Sequence, residues 1–293
     1  LAMMKMIYVK FPNSKTTPGE RDNEVIELFY RSATAVSFYD HTRQFQVAMA
    51  ALRRVTKFDL SKVPKASGTW AGVASVFSLG GLSFDLSNRL LKISKRYRAA
   101  GDIGDRMQYA CFSTMIQHCL GTWGKIRALD EETLNSSLRI GDFWHVPLYS
   151  WFSGLAKGEQ GDFGYLMSVI DKLHEIGEAY DNPLSIINAR ALKADYLVKS
   201  RNAHKVTEEA EQGISFSREK GTELQAMMFM AFKTEAQELL GDADGSLHSL
   251  SQASEIFEKQ QSTALRPFVA PYLSARFFVV VAQLERAIHS DNS

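Results

Sequence analysis

The 293-residue chain has little of several features that mark particular classes of protein. Its two cysteines are too few for a disulfide framework, so nothing in the sequence points to an oxidising compartment. Its seven prolines favour helices over a β-rich design with many turns. The longest apolar runs, residues 226–232 and 277–282, are far below the ~20 residues of a membrane span. We therefore expect a cytoplasmic protein with no membrane partner.

Sequence motifs of known chemistry are also missing, so we expect no enzyme activity, cofactor or metal in this chain. Segment 121–125 (GTWGK) lacks the spacing of a phosphate-binding loop. Cys111 and Cys119 are a little over two helical turns apart, ~12 Å along a helix axis, which is too far for one metal ion without a further ligand. The seven histidines are isolated, mostly near predicted helix ends, where solvated or capping roles are usual.

Charge is balanced over the whole chain but divided along it. Residues 1–100 hold 16 Lys and Arg against 7 Asp and Glu, a net of +9, whereas residues 101–293 hold 18 against 26, a net of −8. Basic residues gather at two predicted helix ends, where they oppose the helix dipole and where they could also steer an acidic partner. Few aromatic residues lie among these basic residues, which argues against nucleic acid as the partner. The basic patch comprises Arg53, Arg54, Lys57, Lys62, Lys65, Arg89, Lys92, Lys95, Arg96 and Arg98.

A period of 40 residues organises the chain. Gly81, Gly121, Gly161 and Gly241 fall in one column, here called the glycine column, with His41 and Arg201 as the two exceptions between residues 41 and 241. Seven residues earlier the chain always has a small residue. This small-residue column consists of Thr34, Ala74, Thr114, Gly154, Ala194, Thr234 and Ser274.

Each period predicts two helices. After the glycine column, apolar residues follow helical spacing, as in Leu166, Val169, Ile170 and Leu173. About 20 residues into each period a second break appears, at residues 101–102, 141–142, 181–183 and 221–222. The predicted N-caps of the helices that follow these breaks are Asp102, Asp142, Asn182 and Thr222. We call the helix before a glycine-column position a first helix and the one after it a second helix. Only residues 6–11 alternate in a way that resembles a strand.

These patterns predict an all-α fold. Glycine would supply the positive φ that ends a first helix, and the small residue would let a neighbouring helix approach closely. Helix pairs of this length that stack on one another form an α-solenoid. We expect a right-handed superhelix of six to seven hairpins over residues 19–293 as one domain, preceded by an N-terminal extension over residues 1–18.

The pattern resembles the tetratricopeptide (TPR) repeat. The resemblance is carried by the small residue, the seven-residue gap and the Gly-Asp pairs at Gly161 and Gly241, and it is closest to a 40-residue variety of the repeat. In large bacterial signalling proteins that variety follows an ATPase module, in class III adenylate or guanylate cyclases, Ser/Thr kinases and activators similar to the maltose regulator. The resemblance implies a non-catalytic interaction or scaffold region of such a protein.

The concave face of a solenoid is its usual binding surface. Trp151 is the first candidate for a contact residue, and burial of Trp151 between repeats is the equally weighted alternative. An apolar groove that senses a small ligand is the alternative function. With the small-residue column as reference, the inward-pointing candidates are Gln108, Cys111, Met115, His118, Leu148, Trp151, Leu155, Gly158, Asn188, Ala191, Asp195, Val198, Met228, Ala231, Glu235 and Glu238.

The last predicted helix, over residues 266–288, is apolar on more than one side. Phe277, Val280 and Leu284 would be exposed if nothing followed, whereas a terminal helix usually has a polar outer face. We expect either a continuation of the array or a second copy of the chain against this helix.

Overall fold

The computed structural model describes residues 16–36, 41–63, 66–97, 103–128, 131–260 and 265–291. Within these ranges the protein has thirteen α-helices, two short 3-10 helices and no strand, which confirms the all-α prediction. Residues 6–11, the one candidate strand, lie outside the described ranges. The α-helices are α1 Glu20–Val36, α2 His41–Val55, α3 Ala66–Leu79, α4 Phe84–Arg96, α5 Ile103–Cys119, α6 Glu131–Arg139, α7 His145–Glu159, α8 Phe163–Ala179, α9 Pro183–Lys199, α10 Ala203–Glu219, α11 Glu223–Leu239, α12 Ala243–Gln260 and α13 Arg266–Asp291.

The turns between helices fall where the sequence predicts them. Every glycine of the glycine column follows a helix and has positive φ, between 64° at Gly81 and 78° at Gly241. Arg201 has the same geometry, with φ of 58°, so the backbone turns there even without glycine. The second breaks also have positive φ, at Gly141, Asp181 and Gly221. Residues 101–102 lie outside the described ranges.

Residues that precede the helices divide into two groups, according to which helix their side chains bond. The side chains of Asp162 and Asn182 accept hydrogen bonds from the backbone N–H groups of Tyr165 and Ser185, as N-caps do. Thr222 makes no such bond, and its hydroxyl instead donates to the Ser217 carbonyl at 3.1 Å. The prediction that Thr222 caps α11 is therefore wrong, because its hydroxyl stabilises the end of the preceding helix.

The chain divides into two compact units, residues 1–149 and residues 150–293. In the first unit, α3 packs against α2, α4 and α5, and nearly every residue of α3 is buried. The Ser87 hydroxyl of α4 donates to the Ala74 carbonyl of α3 at 2.7 Å, and Ser94 donates to the Ser67 carbonyl at the same distance. Small side chains on both helices thus permit direct contact with the backbone.

In the second unit, successive helices also meet at small residues. A Cβ on Gly154 would lie 2.6 Å from a Leu192 methyl group, and one on Gly177 would lie 2.6 Å from Ile186. Helices α9, α11 and α13 form a contacting series, in which each also packs against the helix between them in sequence. The interior of this unit therefore consists of closely spaced helices with little room for added atoms.

The small-residue column occupies the interior at its central positions. Ala74, Thr114, Gly154, Ala194 and Thr234 are all buried. Thr34 is half-buried and Ser274 is exposed, because among the described residues α1 and α13 have fewer helices around them. The column therefore marks helix contacts except on the first and last described helices.

Candidate binding surfaces

The residues predicted to line a groove are mostly enclosed by the protein. Their burial follows from the close packing of the first helices against one another and, in the second unit, against α13. None of the sixteen candidates is exposed. Six are half-buried, namely His118, Leu155, Asp195, Val198, Glu235 and Glu238. Ten are buried, namely Gln108, Cys111, Met115, Leu148, Trp151, Gly158, Asn188, Ala191, Met228 and Ala231.

Trp151 shows how this enclosure is built. Only 2% of Trp151 is exposed, and its indole ring stacks on Phe268 of α13 with centroids 5.4 Å apart and planes 20° apart. The Phe152 ring lies 4.8 Å away on its own helix. Of the two alternatives for Trp151, burial is the one found, because α13 supplies a ring that covers it.

Polar candidates in the second unit meet around one lysine. Lys199 Nζ lies 2.6 Å from Asp195 Oδ2 and 2.9 Å from Glu159 Oε1, and the Asp195 charge in turn contributes to raising the pKa of Glu235. We call Glu159, Asp195, Lys199 and Glu235 the lysine cluster. Its members come from α7, α9 and α11, and Asp195 and Glu235 are one period apart. The repeat therefore brings equivalent positions of successive first helices close together.

Burial sets the protonation tendencies of the lysine cluster. Burial raises the pKa of Asp195, and the neighbouring Lys199 offsets part of that rise. Burial likewise raises the pKa of Glu235, against a hydrogen bond from Ser274 that lowers it. For Lys199, burial lowers the pKa, but Asp195 and Glu159 more than offset it and the pKa is raised. The ammonium is therefore held charged between carboxylates.

The sequence analysis did not predict a set of hydrogen-bonded side chains in the first unit, which consists of Tyr30, His145 and Asp142. His145, 4% exposed, places Nδ1 2.7 Å from Asp142 Oδ1, and its Nε2 is hydrogen-bonded to the Tyr30 hydroxyl of α1. Asp142 also accepts from the His145 backbone N–H at the start of α7. The solvated role expected for histidines is wrong for His145. The sequence pattern that could have predicted this pair is the Asp-x-x-His spacing of Asp142 and His145 across the start of a helix.

The buried Tyr30 phenol and the Cys111 thiol near Asp142 are suited to packing in the protein interior. Burial, followed by the Asp142 charge, raises the pKa of the Tyr30 phenol, and the same two causes raise the pKa of the Cys111 thiol. Both groups are therefore protonated at neutral pH, and a protonated buried thiol is a poor nucleophile. Cys111 and Cys119 are both free thiols. Among the described residues, no three His, Cys, Asp or Glu side chains are placed to share a metal ion.

The basic patch is exposed where the structure describes it. Arg54 is an exception, since it pairs with Asp22 and lies over the Phe58 ring. Lys57 and Lys62 are exposed but lie beyond the end of α2, and Lys65 and Arg98 lie outside the described ranges. We call the remaining exposed cations of α2 and α4 the basic surface, which consists of Arg53, Arg89, Lys92, Lys95 and Arg96.

Few carboxylates neutralise the basic surface. Arg89 pairs with Asp85 one turn away, at 2.9 Å, and both side chains are largely exposed, so the pair is weak. In the described part of the chain, no carboxylate lies within ion-pair distance of Lys92, Lys95 or Arg96. These three cations share the last two turns of α4 and face solvent.

The last helix, α13, carries a second exposed surface. Phe268, Tyr272, Ala275 and Val279 are buried against the second unit. Five large apolar residues on the opposite side are exposed. They are Ile288 and four that we call the C-terminal seam: Leu273, Phe277, Val280 and Leu284.

Helix α13 also meets a length and composition test for a membrane span. Over Arg266–His289 it is long and apolar enough to cross a bilayer, and 22% of its most apolar window is buried within the protein. One such helix is weak evidence for a membrane span. A search of the sequence for uninterrupted apolar runs does not find this segment, because the charged residues Arg276 and Glu285 lie within it.

Comparison with known proteins adds no family. No family model matches the chain, and no curated protein matches it in sequence.

Proposed function

We propose that this chain is a non-catalytic interaction domain that binds an acidic segment of a protein partner through the basic surface. The observation that carries the proposal is the set of three cations on α4, Lys92, Lys95 and Arg96, which are exposed and face no described carboxylate. Like charges one turn apart on a helix repel each other by a few tenths of a kcal/mol. A negatively charged partner would relieve that repulsion.

The helix dipole offers a simpler account of part of this pattern. Cations in the last turn of α4 interact favourably with its C-terminal carbonyl groups, by about 0.3–1 kcal/mol each. The same effect accounts for Arg53 in the last turn of α2, but it accounts less well for Arg89, which lies at mid-helix. The net +9 of residues 1–100 in the sequence is also more than the cations of one helix end account for.

The scaffold in this proposal is an array of TPR-like helical hairpins. Support comes from the regular alternation of helices and positive-φ turns, about 20 residues apart over most of the described chain. Further support comes from contacts between successive first helices, α3 with α5, α9 with α11 and α11 with α13. By its resemblance, such an array belongs to a larger bacterial signalling protein and connects its partners. It supplies no chemistry of its own.

The exposed surface suits binding better than the inner residues do. A sensor of small ligands would need inner residues that a ligand can reach. Trp151 and Met228 are enclosed by the protein's own helices, and Asp195 is engaged by Lys199. We therefore place the partner on the outer surface of α2 and α4.

A direct binding assay tests the proposal. A fluorescein-labelled polyglutamate peptide is titrated with the protein, and binding is followed by fluorescence anisotropy at low salt and at about 0.15 M salt, where screening acts over ~8 Å. The triple variant Lys92→Glu, Lys95→Glu, Arg96→Glu is expected to lose at least about tenfold in affinity. The matched control is Lys205→Glu, Arg218→Glu, Lys259→Glu, which reverses three exposed cations of the second unit.

Two outcomes would count against the proposal. Equal losses in the test and control variants would show a general charge effect with no defined surface. Tighter binding of a single-stranded oligonucleotide of matched charge than of the peptide would move the partner to nucleic acid. Circular dichroism of both variants checks that the helices are retained.

A further inference from the structure

The C-terminal seam follows the spacing of a helix-pairing interface. Leu273, Phe277, Val280 and Leu284 are separated by four, three and four residues, which is the alternation of a and d positions in a heptad. Ala270 and Ala287 continue the same alternation on either side and are also exposed. Phe277 is 71% exposed, the largest value among the large apolar residues of the described chain.

The seam and the buried face of α13 lie on opposite sides of the helix. At 100° per residue, the centre of the seam is about 140° from the centre of the face formed by Phe268, Tyr272, Ala275 and Val279. A helix packed on one side only would normally have polar residues opposite. Helix α13 is therefore suited to packing between two apolar surfaces, one of which is its own second unit.

The length of α13 argues that its outer partner is not another hairpin in the same register. Five earlier first helices end in a positive-φ turn at residue 81, 121, 161, 201 or 241. Val281 stands at the next position of the glycine column, and α13 continues through it to Asp291. The helix thus passes the point at which the 40-residue period would fold the chain back onto it.

We propose that α13 pairs with the same helix of a second copy through the C-terminal seam. The residues that flank the seam permit this in either direction. They are Ser274, Arg276, Val281 and Gln283, so each copy brings one charge. In a parallel pair Arg276 would face Val281 of the other copy, and in an antiparallel pair it would face Gln283. No like charges are opposed.

The available area is sufficient for a weak dimer. Each large apolar side chain of the seam can bury about 100 Å². Four of them in each copy, with Ala270, Ala287 and the flanking side chains, reach about 1,000 Å² in total, which is the lower limit for a specific interface. We therefore expect a dissociation constant on the order of 10 µM, with a monomer–dimer equilibrium visible over accessible concentrations.

A bilayer is less well suited than a second copy. Insertion of α13 would remove Trp151 from Phe268 and break the ion pair between Arg286 and Glu238, at 2.8 Å. It would also place Arg276 in hydrocarbon, which costs about 2.5–3.5 kcal/mol by insertion scales. A second copy covers the seam and leaves every one of these contacts in place.

Sedimentation equilibrium of the whole chain over about 1–100 µM tests the proposal. The protein should move from 32.8 kDa towards twice that mass, and Phe277→Glu should remain monomeric throughout. Leu247→Glu is the matched control, since Leu247 is an exposed leucine on a different helix, α12. It should dimerise as the unaltered chain does. Because Phe277 is exposed, Phe277→Glu should retain its thermal unfolding temperature.

Several results would overturn the proposal. A monomer at every concentration would refute it, and so would dimerisation that Phe277→Glu leaves unchanged. Flotation of the unaltered chain with phosphatidylcholine vesicles, lost in Phe277→Glu, would assign the seam to a membrane. None of these readouts depends on the basic surface.

Discussion

The Ser87 hydroxyl donates a 2.7 Å hydrogen bond to the main-chain carbonyl of Ala74, and so joins α4 to the backbone of α3. The bond requires that the two helices nearly touch, and the alanine side chain permits this. Ala74 is fully buried, whereas Ser274, which stands at the last position of the same column, is exposed. The two positions therefore form a natural pair for testing what the small residue does.

Ala74→Leu should destabilise the protein by about 1–3 kcal/mol, because the larger side chain must separate α3 from α4 and break the Ser87 bond. Ser274→Leu should cost no more than about 1 kcal/mol, since a leucine there faces solvent and only the Ser274 hydrogen bond to Glu235 is lost. Urea unfolding followed by circular dichroism measures both. Equal effects at the two sites would show that the small-residue column does not mark tight helix contacts.

Gly154→Ala should also destabilise the protein, although alanine is the better helix former. The new methyl group would lie 2.6 Å from Leu192 and 3.3 Å from Val169, a distance that requires side chains to move. Gly164→Ala is the control, because nothing lies within 4 Å of a Cβ there and the residue is helical. It should stabilise by about 0.5–1 kcal/mol. Opposite signs in the two unfolding temperatures are the expected result.

Arg201→Gly should stabilise the protein by about 1 kcal/mol. Arg201 has φ of 58°, a conformation that costs an L-residue about 1–2 kcal/mol and glycine little. Arg201→Ala is the control, since it removes the same charge and retains the strained backbone. If alanine stabilised as much as glycine in thermal unfolding, the gain would come from the side chain and not from the turn.

Lys199→Met should destabilise the protein by about 2 kcal/mol at neutral pH, because it leaves the Asp195 and Glu159 carboxylates without their cation. Burial raises the pKa of Asp195, so this carboxylate becomes neutral as the pH falls and the loss should shrink. Lys193→Met serves as the comparison on the same helix, with its ammonium more exposed. A loss that is independent of pH would mean that only the packing of the lysine stem matters.

Glu235→Gln should raise the unfolding temperature near neutral pH and have no effect near pH 4, where the glutamate is neutral in both states. Its folded-state pKa is raised by burial, so the folded protein binds a proton more tightly than the unfolded chain. The destabilising effect of the charged carboxylate is therefore absent below the ordinary glutamate pKa and complete above the raised one. Glutamine can still accept the Ser274 hydrogen bond. A stabilisation that persists at pH 4 would show another cause.

Much of the backbone was predictable because the relevant signals are local. Glycine and Asp-Gly or Gly-Asp pairs end and begin helices through their own φ angles and caps, so the turns at Gly121, Gly161 and Gly241 could be placed from sequence. The same locality explains the errors. Thr222 has a hydroxyl that can cap either neighbouring helix, and only the path of the chain selects the one it serves.

The sites were less predictable because they join distant parts of the chain. Tyr30 and His145 are 115 residues apart, and no sequence pattern in either segment predicts that they are in contact. Trp151 could be assigned to the inner side of its helix, but its exposure depended on whether Phe268 of a later helix would cover it.

The sequence by itself determined that the chain is helical, where most of its helices end, and that small residues recur at one point of each period. Those properties depend on side-chain volume, backbone conformation and the spacing of apolar residues within a few turns. Only the tertiary structure decided which of the inward residues are closed off, that Lys199 gathers carboxylates from α7 and α9, and that the seam of α13 faces outward. Those properties depend on which distant helices come into contact, and the packing of the complete chain decides that.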